Sequence, residues 1–193
     1  MKKTHVRKNE LLFEWTNTYV VMGHFFKYPS IEFTLSEVAR NTGLSKASVS
    51  GIINNLREVG FVEIKDLGVV YRIRANADNY IYKREKIGYN FASLIRSNIV
   101  EFLVNKFRNP KCIIVFGSFR KGEDDRGSDI DIALEVSKGE NTGIFVYSEF
   151  KEFEKLLERK VTVHAFERGK IDDNLFVNMA NGIVLHGFLE VRK

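Results

Sequence analysis

Hydrophobic residues in the first half of the chain recur at helical spacing. Residues 34–37, Thr-Leu-Ser-Glu, form a capping box, and the helix that this box starts stops at Gly43. A second helix is predicted from Ser45 to Gly60, because its apolar positions follow the pattern i, i+3, i+4 and i+7. These positions are Val49, Ile52, Ile53 and Leu56. Residues 10–27 predict one or more helices before them. Two short helices joined by a glycine turn form a helix-turn-helix.

The pattern then changes from helical spacing to alternation. Residues 61–66 and 69–75 are β-branched runs on either side of a short turn at Leu67-Gly68, which predicts a β-hairpin. The polar side of the second helix carries serines, asparagines and one lysine. Short side chains let the helix backbone approach DNA, and these residue types supply donors for phosphates and base edges.

Residues 33–75 resemble the winged-helix DNA-binding domains of prokaryotic transcription regulators. The resemblance implies that polar residues of the second helix face DNA, with RNA as another partner, and that basic residues of the hairpin lie close by. These residues are Ser45, Lys46, Ser48, Ser50, Asn54, Lys65, Arg72 and Arg74. Winged helices also dock proteins, so docking or a purely structural role is the alternative. Such regulators commonly form homodimers, and a homodimer is expected here.

A broad apolar stripe at helical spacing covers residues 83–108, which predicts a long connecting helix that ends before Pro110. The polar stretch 76–86 predicts a domain boundary. We therefore expect a winged-helix domain in residues 1–80 and a second domain in residues 81–193, with the connecting helix in the second.

Two strands are predicted in the second half, and the second of them carries two aspartates on one face. Residues 112–116 form an apolar run that predicts a buried strand, and Gly117-Ser118 breaks it. Ten residues later, residues 129–132 read Asp-Ile-Asp-Ile, so alternation directs both aspartates to one face and both isoleucines to the core. Two carboxylates so placed repel each other, and a divalent cation, Mg²⁺ or Mn²⁺, relieves the repulsion. A lone Asp-x-Asp pair on an exposed strand is otherwise surface decoration.

The glycine-serine turn supplies the groups that bind phosphate. Gly117 lets the backbone approach, and the Ser118 hydroxyl and main-chain N–H can bond a phosphate oxygen. Arg120 and Lys121 add positive charge. Together with the acids, these are the parts of a nucleoside-triphosphate site. Asp124 and Asp125, in the intervening loop, are interpreted as solvated acids without a role.

The arrangement G-S-x10-D-x-D closely resembles the signature of the minimal nucleotidyltransferases of the DNA polymerase β superfamily, over about residues 90–190. The resemblance implies an α+β fold with a mixed sheet and flanking helices. It implies that Gly117 and Ser118 hold the triphosphate and that Asp129 and Asp131 bind two Mg²⁺ ions. The expected activity transfers a nucleotidyl group, AMP from ATP or another nucleotide, to a macromolecular hydroxyl.

The chain departs from this family at the third carboxylate, which normally lies on the next strand. Thr162 occupies that position, and His164 shares its face by alternation. His164 either serves as base or metal ligand or packs beside the cleft; Glu158 and Glu167 are further candidates. An active transferase therefore competes with a winged-helix regulator whose transferase domain senses nucleotide or is inactive.

Minimal nucleotidyltransferases are often paired with small helical toxins, and some silence the toxin by adenylylating a tyrosine. The resemblance therefore implies a possible antitoxin that binds its own promoter, with a small helical toxin as partner. A third reading has the winged helix presenting RNA as the acceptor.

Charge and composition narrow the classes further. The net charge of +5 resides in residues 1–90, which carry 14 lysines and arginines against nine acids, whereas residues 91–193 carry 16 of each. This asymmetry agrees with a nucleic-acid-binding first half. A single cysteine, Cys112, excludes a disulfide scaffold and a Cys-based zinc finger. No apolar run approaches the ~20 residues that span a bilayer, and the basic start lacks a signal-peptide core, so a cytoplasmic protein with no membrane partner is expected.

Overall fold

The computed structural model describes residues 16–191, which divide into two compact units at the boundary between Tyr89 and Asn90. The first unit contains α1 (Asn17–Lys27), α2 (Leu35–Thr42), α3 (Lys46–Glu58), β1 (Val62–Asp66) and β2 (Tyr71–Ala75), and α4 (Tyr80–Ser97) crosses the boundary. The second unit continues with α5 (Ile99–Lys106), β3 (Cys112–Phe116), α6 (Gly117–Lys121), β4 (Ile130–Glu135), β5 (Gly143–Phe145), α7 (Lys151–Leu157), β6 (Val161–Phe166), α8 (Asp173–Ala180) and β7 (Ile183–Gly187). The predicted helical segment 10–27 is represented by α1, and its residues 10–15 lie outside the described part.

The helix-turn-helix forms where its capping residues predict. Thr34 caps α2: its hydroxyl accepts from the Glu37 N–H at 3.2 Å, while the Glu37 carboxylate accepts from the Thr34 N–H at 2.7 Å. Gly43 ends α2 in the left-handed region with φ 71°. Ser45 then caps α3 by accepting from the Ser48 N–H at 3.1 Å. Side chains that satisfy the first N–H groups thus fix where both helices begin.

The apolar side of α3 lies in the core of the first unit. Val49, Ile53 and Leu56 are at most 6% exposed and pack with residues of α1 and the hairpin, such as Phe25 and Phe61. Strands β1 and β2 pair antiparallel, with Val62 opposite Ala75. The predicted hairpin and the predicted helical register are both confirmed.

His24 is buried among aromatic rings of the first unit. Its ring centroid lies 4.4 Å from that of Phe33 and 5.4 Å from those of Phe25 and Tyr28. Its Nε2 atom is buried without a hydrogen-bond partner. Burial, with a smaller contribution from the Lys27 charge, lowers the pKa of His24 to about 4.

This lowered pKa makes the stability of the first unit depend on pH. Because the folded-state pKa lies below the unfolded value of about 6.5, the contribution of His24 is complete above that pH and is lost as the pH falls toward 4. We expect a loss of about 2 kcal/mol by pH 5. Urea unfolding followed by circular dichroism at pH 7.5 and pH 5 measures it, and His24→Leu should flatten the difference. An unchanged pH dependence in that variant would show that His24 is not its source.

The predicted connecting helix over residues 83–108 is two helices. Helix α4 ends at Ser97, and Asn98 adopts a left-handed conformation with φ 59° before α5 begins. The Ser97 hydroxyl donates to the Leu94 carbonyl at 2.7 Å and accepts from the Ile99 N–H at 3.3 Å. The continuous apolar stripe did not reveal this break, because a serine side chain competes with the helical hydrogen bonds and asparagine tolerates the left-handed region.

The second unit is built on a five-stranded mixed sheet with the order β5-β6-β4-β3-β7. Strand β4 runs antiparallel to β3 and parallel to β6. Alternate residues of β3 enter different cores: Ile113 and Val115 pack with Leu103 of α5, whereas Ile114 and Cys112 pack with Met179 of α8. Helices therefore cover both faces, and the predicted α+β class is confirmed.

No helix in residues 16–191 combines the length and the apolar character needed to cross a membrane.

Candidate functional site

The two aspartates lie at the start of β4. Asp129 immediately precedes the strand, and Asp131 is its second residue. The intervening isoleucines, Ile130 and Ile132, are fully buried, whereas the Asp131 side chain is 31% exposed. Alternation along the strand thus places both carboxylates on the same face and at one end of the sheet.

The glycine-serine turn lies against this acidic face. Phe116, the last residue of β3, is opposite Asp131 in the antiparallel register, and Gly117 follows with φ 73°. A Cβ atom at Gly117 would lie 2.7 Å from the Asp131 Oδ2 atom. Glycine suits position 117 for two reasons: the backbone is left-handed, and a Cβ atom would force the Asp131 carboxylate to move.

Two residues of β6 contact the aspartates. The Thr162 hydroxyl donates to Asp129 Oδ2 at 3.4 Å, and the His164 Nε2 atom lies 3.2 Å from Asp131 Oδ1. The His164 side chain is 17% exposed, and its ring contacts the edge of Phe116 with a centroid distance of 5.2 Å. His164 therefore packs against Phe116 and also contacts the site through Asp131.

Glu167 and Glu158, the other two candidates for the third carboxylate, lie in the chain after and before β6. Glu167 follows the last residue of β6, at the opposite end from Thr162, and pairs with Lys170 at 2.9 Å, which lowers the pKa of Glu167. Glu158 is the C-cap residue of α7, three residues before β6 begins, and its carbonyl accepts a hydrogen bond from Arg159. Within β6, the side chains that contact the two aspartates are the hydroxyl of Thr162 and the imidazole of His164.

The four predicted phosphate-binding residues all belong to the five-residue helix α6: Gly117, Ser118, Arg120 and Lys121. Arg120 is half-buried and Lys121 is exposed. The main-chain N–H groups of Gly117 and Ser118 open this helix, where no carbonyl of the same helix can accept them. They are available to an oxyanion from outside the helix.

The interpretation of Asp124 as a solvated loop acid is wrong. Asp124 is 1% exposed: its Oδ1 atom accepts from Asn90 Nδ2 at 2.7 Å, and its Oδ2 atom lies 3.3 Å from Arg159 Nη2. Both partners are more than 30 positions away in the chain, so no local pattern pointed to them. Asp125 is exposed and shapes the loop by accepting from the Gly127 N–H, which with Ser128 lowers the pKa of Asp125.

Within residues 16–191, no group of three or more histidine, cysteine, aspartate or glutamate side chains is arranged to hold a metal ion. Two carboxylates on one face are nevertheless the oxygen donors that Mg²⁺ takes from a protein when phosphate and water supply the rest. The donor set at Asp129 and Asp131 fits such a shared site.

The polar side of α3 forms a separate candidate surface in the first unit. Four of its predicted contact residues are exposed and the fifth is half-buried: Ser45, Lys46, Ser48, Asn54 and then Ser50. Gly51 lies among them, with nothing within 4 Å of where a Cβ atom would be. A glycine inside a helix costs up to about 1 kcal/mol relative to alanine, and internal packing does not require one here. Sequence reasoning did not single out Gly51.

Two of the three predicted basic residues of the hairpin lie beside acidic ones. Arg74 pairs with Glu63 at 2.8 Å, and the Arg72 guanidinium lies 3.5 Å from Glu37. Lys65 is exposed on β1, opposite Arg72. The tip exposes Asp66 and a group of large apolar side chains: Leu67, Val69, Val70 and Tyr71. Ion pairing reduces the positive charge that the hairpin offers to phosphate.

Fold and site together define a helix-turn-helix unit followed by a nucleotidyltransferase-like unit. Residues 29–65 match the family model of the IclR helix-turn-helix domain, and residues 96–184 match that of the nucleotidyltransferase domain. The chain carries both domains, which confirms the predicted architecture. A helix-turn-helix domain implies nucleic-acid binding. A search of the curated proteins finds no significant match.

Proposed function

We propose that this protein transfers a nucleotidyl group, AMP from ATP in the first instance, to a hydroxyl of a macromolecule. The observation that carries the proposal is the closeness of the glycine turn to the acid pair: a Cβ atom at Gly117 would lie 2.7 Å from Asp131 Oδ2. A turn that binds phosphate and carboxylates that bind a cation must lie this close to act on one triphosphate.

The chain's own residues divide the work. The N–H groups of Gly117 and Ser118 and the Ser118 hydroxyl would bind phosphate oxygens, and Arg120 and Lys121 would neutralise phosphate charge. Asp129 and Asp131 would hold Mg²⁺ or Mn²⁺, which supplies charge neutralisation at the reacting phosphate and the leaving group. Thr162 would orient the Asp129 carboxylate through its hydroxyl.

In the proposed reaction, the acceptor oxygen bonds to the α-phosphorus while the bond from that phosphorus to the pyrophosphate oxygen breaks. The proton of the acceptor hydroxyl must leave. His164 Nε2 lies 3.2 Å from Asp131 Oδ1 and donates to that carboxylate when it is ionised, so the candidate base is the other ring nitrogen, Nδ1. Positioning and charge neutralisation account for most catalysis in phosphoryl-type transfer, so an imidazole in place of a carboxylate is compatible with activity.

One observation favours a second function. Thr162 lies at the position where the resemblance implies a third carboxylate, and a threonine hydroxyl binds Mg²⁺ less strongly than a carboxylate does. The alternative is therefore a helix-turn-helix regulator whose second domain binds nucleotide without transferring it.

The two functions separate in one experiment. The full chain is incubated with ATP labelled at the α-phosphate and Mg²⁺, in the presence of RNA and of the products of neighbouring genes, and compared with the Asp129→Asn/Asp131→Asn variant. Label that appears on an acceptor or on the chain itself, and that the variant fails to transfer, supports the transferase. No label on any acceptor, together with sequence-specific DNA binding, supports the regulator.

The acceptor defines the biological role. We propose an antitoxin role, in which the acceptor is a small helical toxin and the winged helix binds the promoter. Label on a tyrosine of a small helical protein encoded beside this chain would support it. Label only on RNA would instead support RNA as the acceptor.

Nucleic-acid binding should depend on α3 more than on the hairpin. We expect Lys46→Ala to weaken binding to a mixed-sequence DNA duplex about threefold to tenfold, and to reduce the slope of log K against log salt concentration by about 1. Arg74→Ala is the matched control, because Arg74 is exposed but already paired with Glu63 at 2.8 Å. Fluorescence anisotropy at several salt concentrations measures both. Equal losses in the two variants would show that the hairpin contributes as much as α3. Absent or salt-independent binding would instead favour protein docking.

A further inference from the structure

The loop between the glycine turn and the acidic strand is anchored by a buried polar cluster that the proposed chemistry does not use. This buried cluster consists of Asn90, Asp124 and Arg159, which are 5%, 1% and 8% exposed. Three such groups are rarely buried together unless each is bonded, because desolvating a charge is costly. Each of the three side chains makes hydrogen bonds here, and only the Nε atom of Arg159 is buried without a partner among their side-chain atoms.

The cluster connects the segments that carry the site. Asn90 Nδ2 donates both to the Phe119 carbonyl of α6 at 2.8 Å and to Asp124 Oδ1 at 2.7 Å. Asp124 Oδ2 lies 3.3 Å from Arg159 Nη2. The Asp124 carboxylate thus joins the loop that leads to Asp129 directly to Arg159, two residues before β6, and through Asn90 to the helix that bears Ser118.

Backbone bonds extend the anchoring to the acidic strand. The Glu123 N–H donates to the Ser118 carbonyl at 3.0 Å, immediately before Asp124. The Ile130 N–H donates to the Lys160 carbonyl at 2.8 Å, immediately after Arg159. Asp124 and Arg159 are therefore each one residue from a bond to a site-bearing segment.

We propose that Asp124 is a positioning residue, which sets the glycine turn at its working distance from Asp129 and Asp131. Ten residues separate Ser118 from Asp129, and the buried cluster anchors this loop near its middle, at Asp124. Shifts of about 1 Å in such a site can cost ~10²-fold in rate, so a buried anchor of this kind acts on function and not only on stability. The catalytic part of this proposal rests on the proposed function.

The structure supplies a matched control in Glu135. Glu135 is also 2% exposed and bonded to an arginine, Arg168, at 2.9 Å. It lies at the other end of β4, six residues from Asp129 and opposite Cys112. Asp124→Asn and Glu135→Gln each remove one buried carboxylate charge from the same unit, but only the first lies between the turn and the acid pair.

The test combines hydrogen–deuterium exchange with kinetics of the full chain, at a temperature where circular dichroism shows every variant folded. We expect Asp124→Asn to speed exchange in residues 117–129 about tenfold or more and to raise KM for Mg·ATP about tenfold. Glu135→Gln should lower the melting temperature comparably and leave exchange in residues 117–129 and KM unchanged. Unchanged exchange in Asp124→Asn, or the same change in both variants, overturns the proposal.

Two further arms keep the outcomes distinct. If Asp124→Asn does not fold, Arg159→Lys keeps the charge but loses the forked geometry, and it should produce the same local exchange change in a milder form; normal exchange there overturns the proposal. If the wild-type chain transfers no nucleotide, the proposed function fails, whereas the exchange measurement still decides whether Asp124 positions the turn.

Discussion

Replacing both Asp129 and Asp131 by asparagine is expected to reduce nucleotidyl transfer at least ~10³-fold while leaving the protein as stable as before or more stable. Asparagine keeps the shape and the acceptor for the Thr162 hydroxyl but loses the charge that a divalent cation requires. The two carboxylates share one strand face, about 7 Å apart, and their repulsion amounts to at most about 2 kcal/mol at an effective dielectric constant of 20. Partial exposure of Asp131 reduces that figure.

The opposite changes in activity and stability are the informative result. Labelled-nucleotide transfer gives the first quantity, and urea unfolding gives the second. Glu123→Gln is the control, because Glu123 is an exposed acid in the same loop and its loss changes the net charge without touching the acidic face. Retained activity in the doubly substituted protein would remove the acid pair from the mechanism. A large loss of stability would mean that the pair is structural.

Gly117→Ala is expected to reduce transfer at least about tenfold while costing about 1 kcal/mol of stability. The stability cost arises from φ 73°, a region that an L residue with a side chain enters unfavourably. The new methyl group would lie 2.7 Å from Asp131 Oδ2, and that carboxylate can rotate away more cheaply than the backbone can move. The carboxylate is therefore displaced, and its displacement affects catalysis rather than folding.

Gly139→Ala separates the two effects. Gly139 has φ 88° in the same unit, and nothing lies within 4 Å of its Cβ position. The control should therefore lose similar stability in urea unfolding and keep its KM for Mg·ATP and its kcat. If both alanine variants lose activity equally, backbone strain and not the contact with Asp131 is responsible. If Gly117→Ala retains full activity, the turn does not need its distance from the acid pair.

Local patterns predicted most elements of both units. The capping residues Thr34 and Ser45 begin α2 and α3 as expected, since each satisfies N–H groups within three residues. Strict alternation placed Ile130 in the core and Asp131 on the face that carries the site. The break at Asn98 was missed, because the apolar stripe continues through it and the local hydrogen bonds of Ser97 leave no periodic trace.

Charge was the least reliable guide to individual residues. The excess of positive charge in residues 1–90 did point to the helix-turn-helix unit, but it did not show that Arg72 and Arg74 of the hairpin lie beside glutamates. A count of charges does not show how far each basic side chain lies from an acidic one. Whether a guanidinium meets a carboxylate or solvent depends on cross-strand register and on neighbouring helices, which the count does not contain.

The sequence by itself determined the helical and strand periods and the alternation that puts Asp129 and Asp131 on one face, and its motifs indicated the order of the two domains. The periods and the alternation depend on neighbouring residues within one helix or strand, where backbone geometry is nearly fixed. Only the tertiary structure decided that Thr162 and His164 meet the two aspartates and that Asp124 is buried against Asn90 and Arg159. Those contacts join residues more than 30 positions apart, and they exist because β4 and β6 lie side by side in the sheet and the loop folds back over their ends.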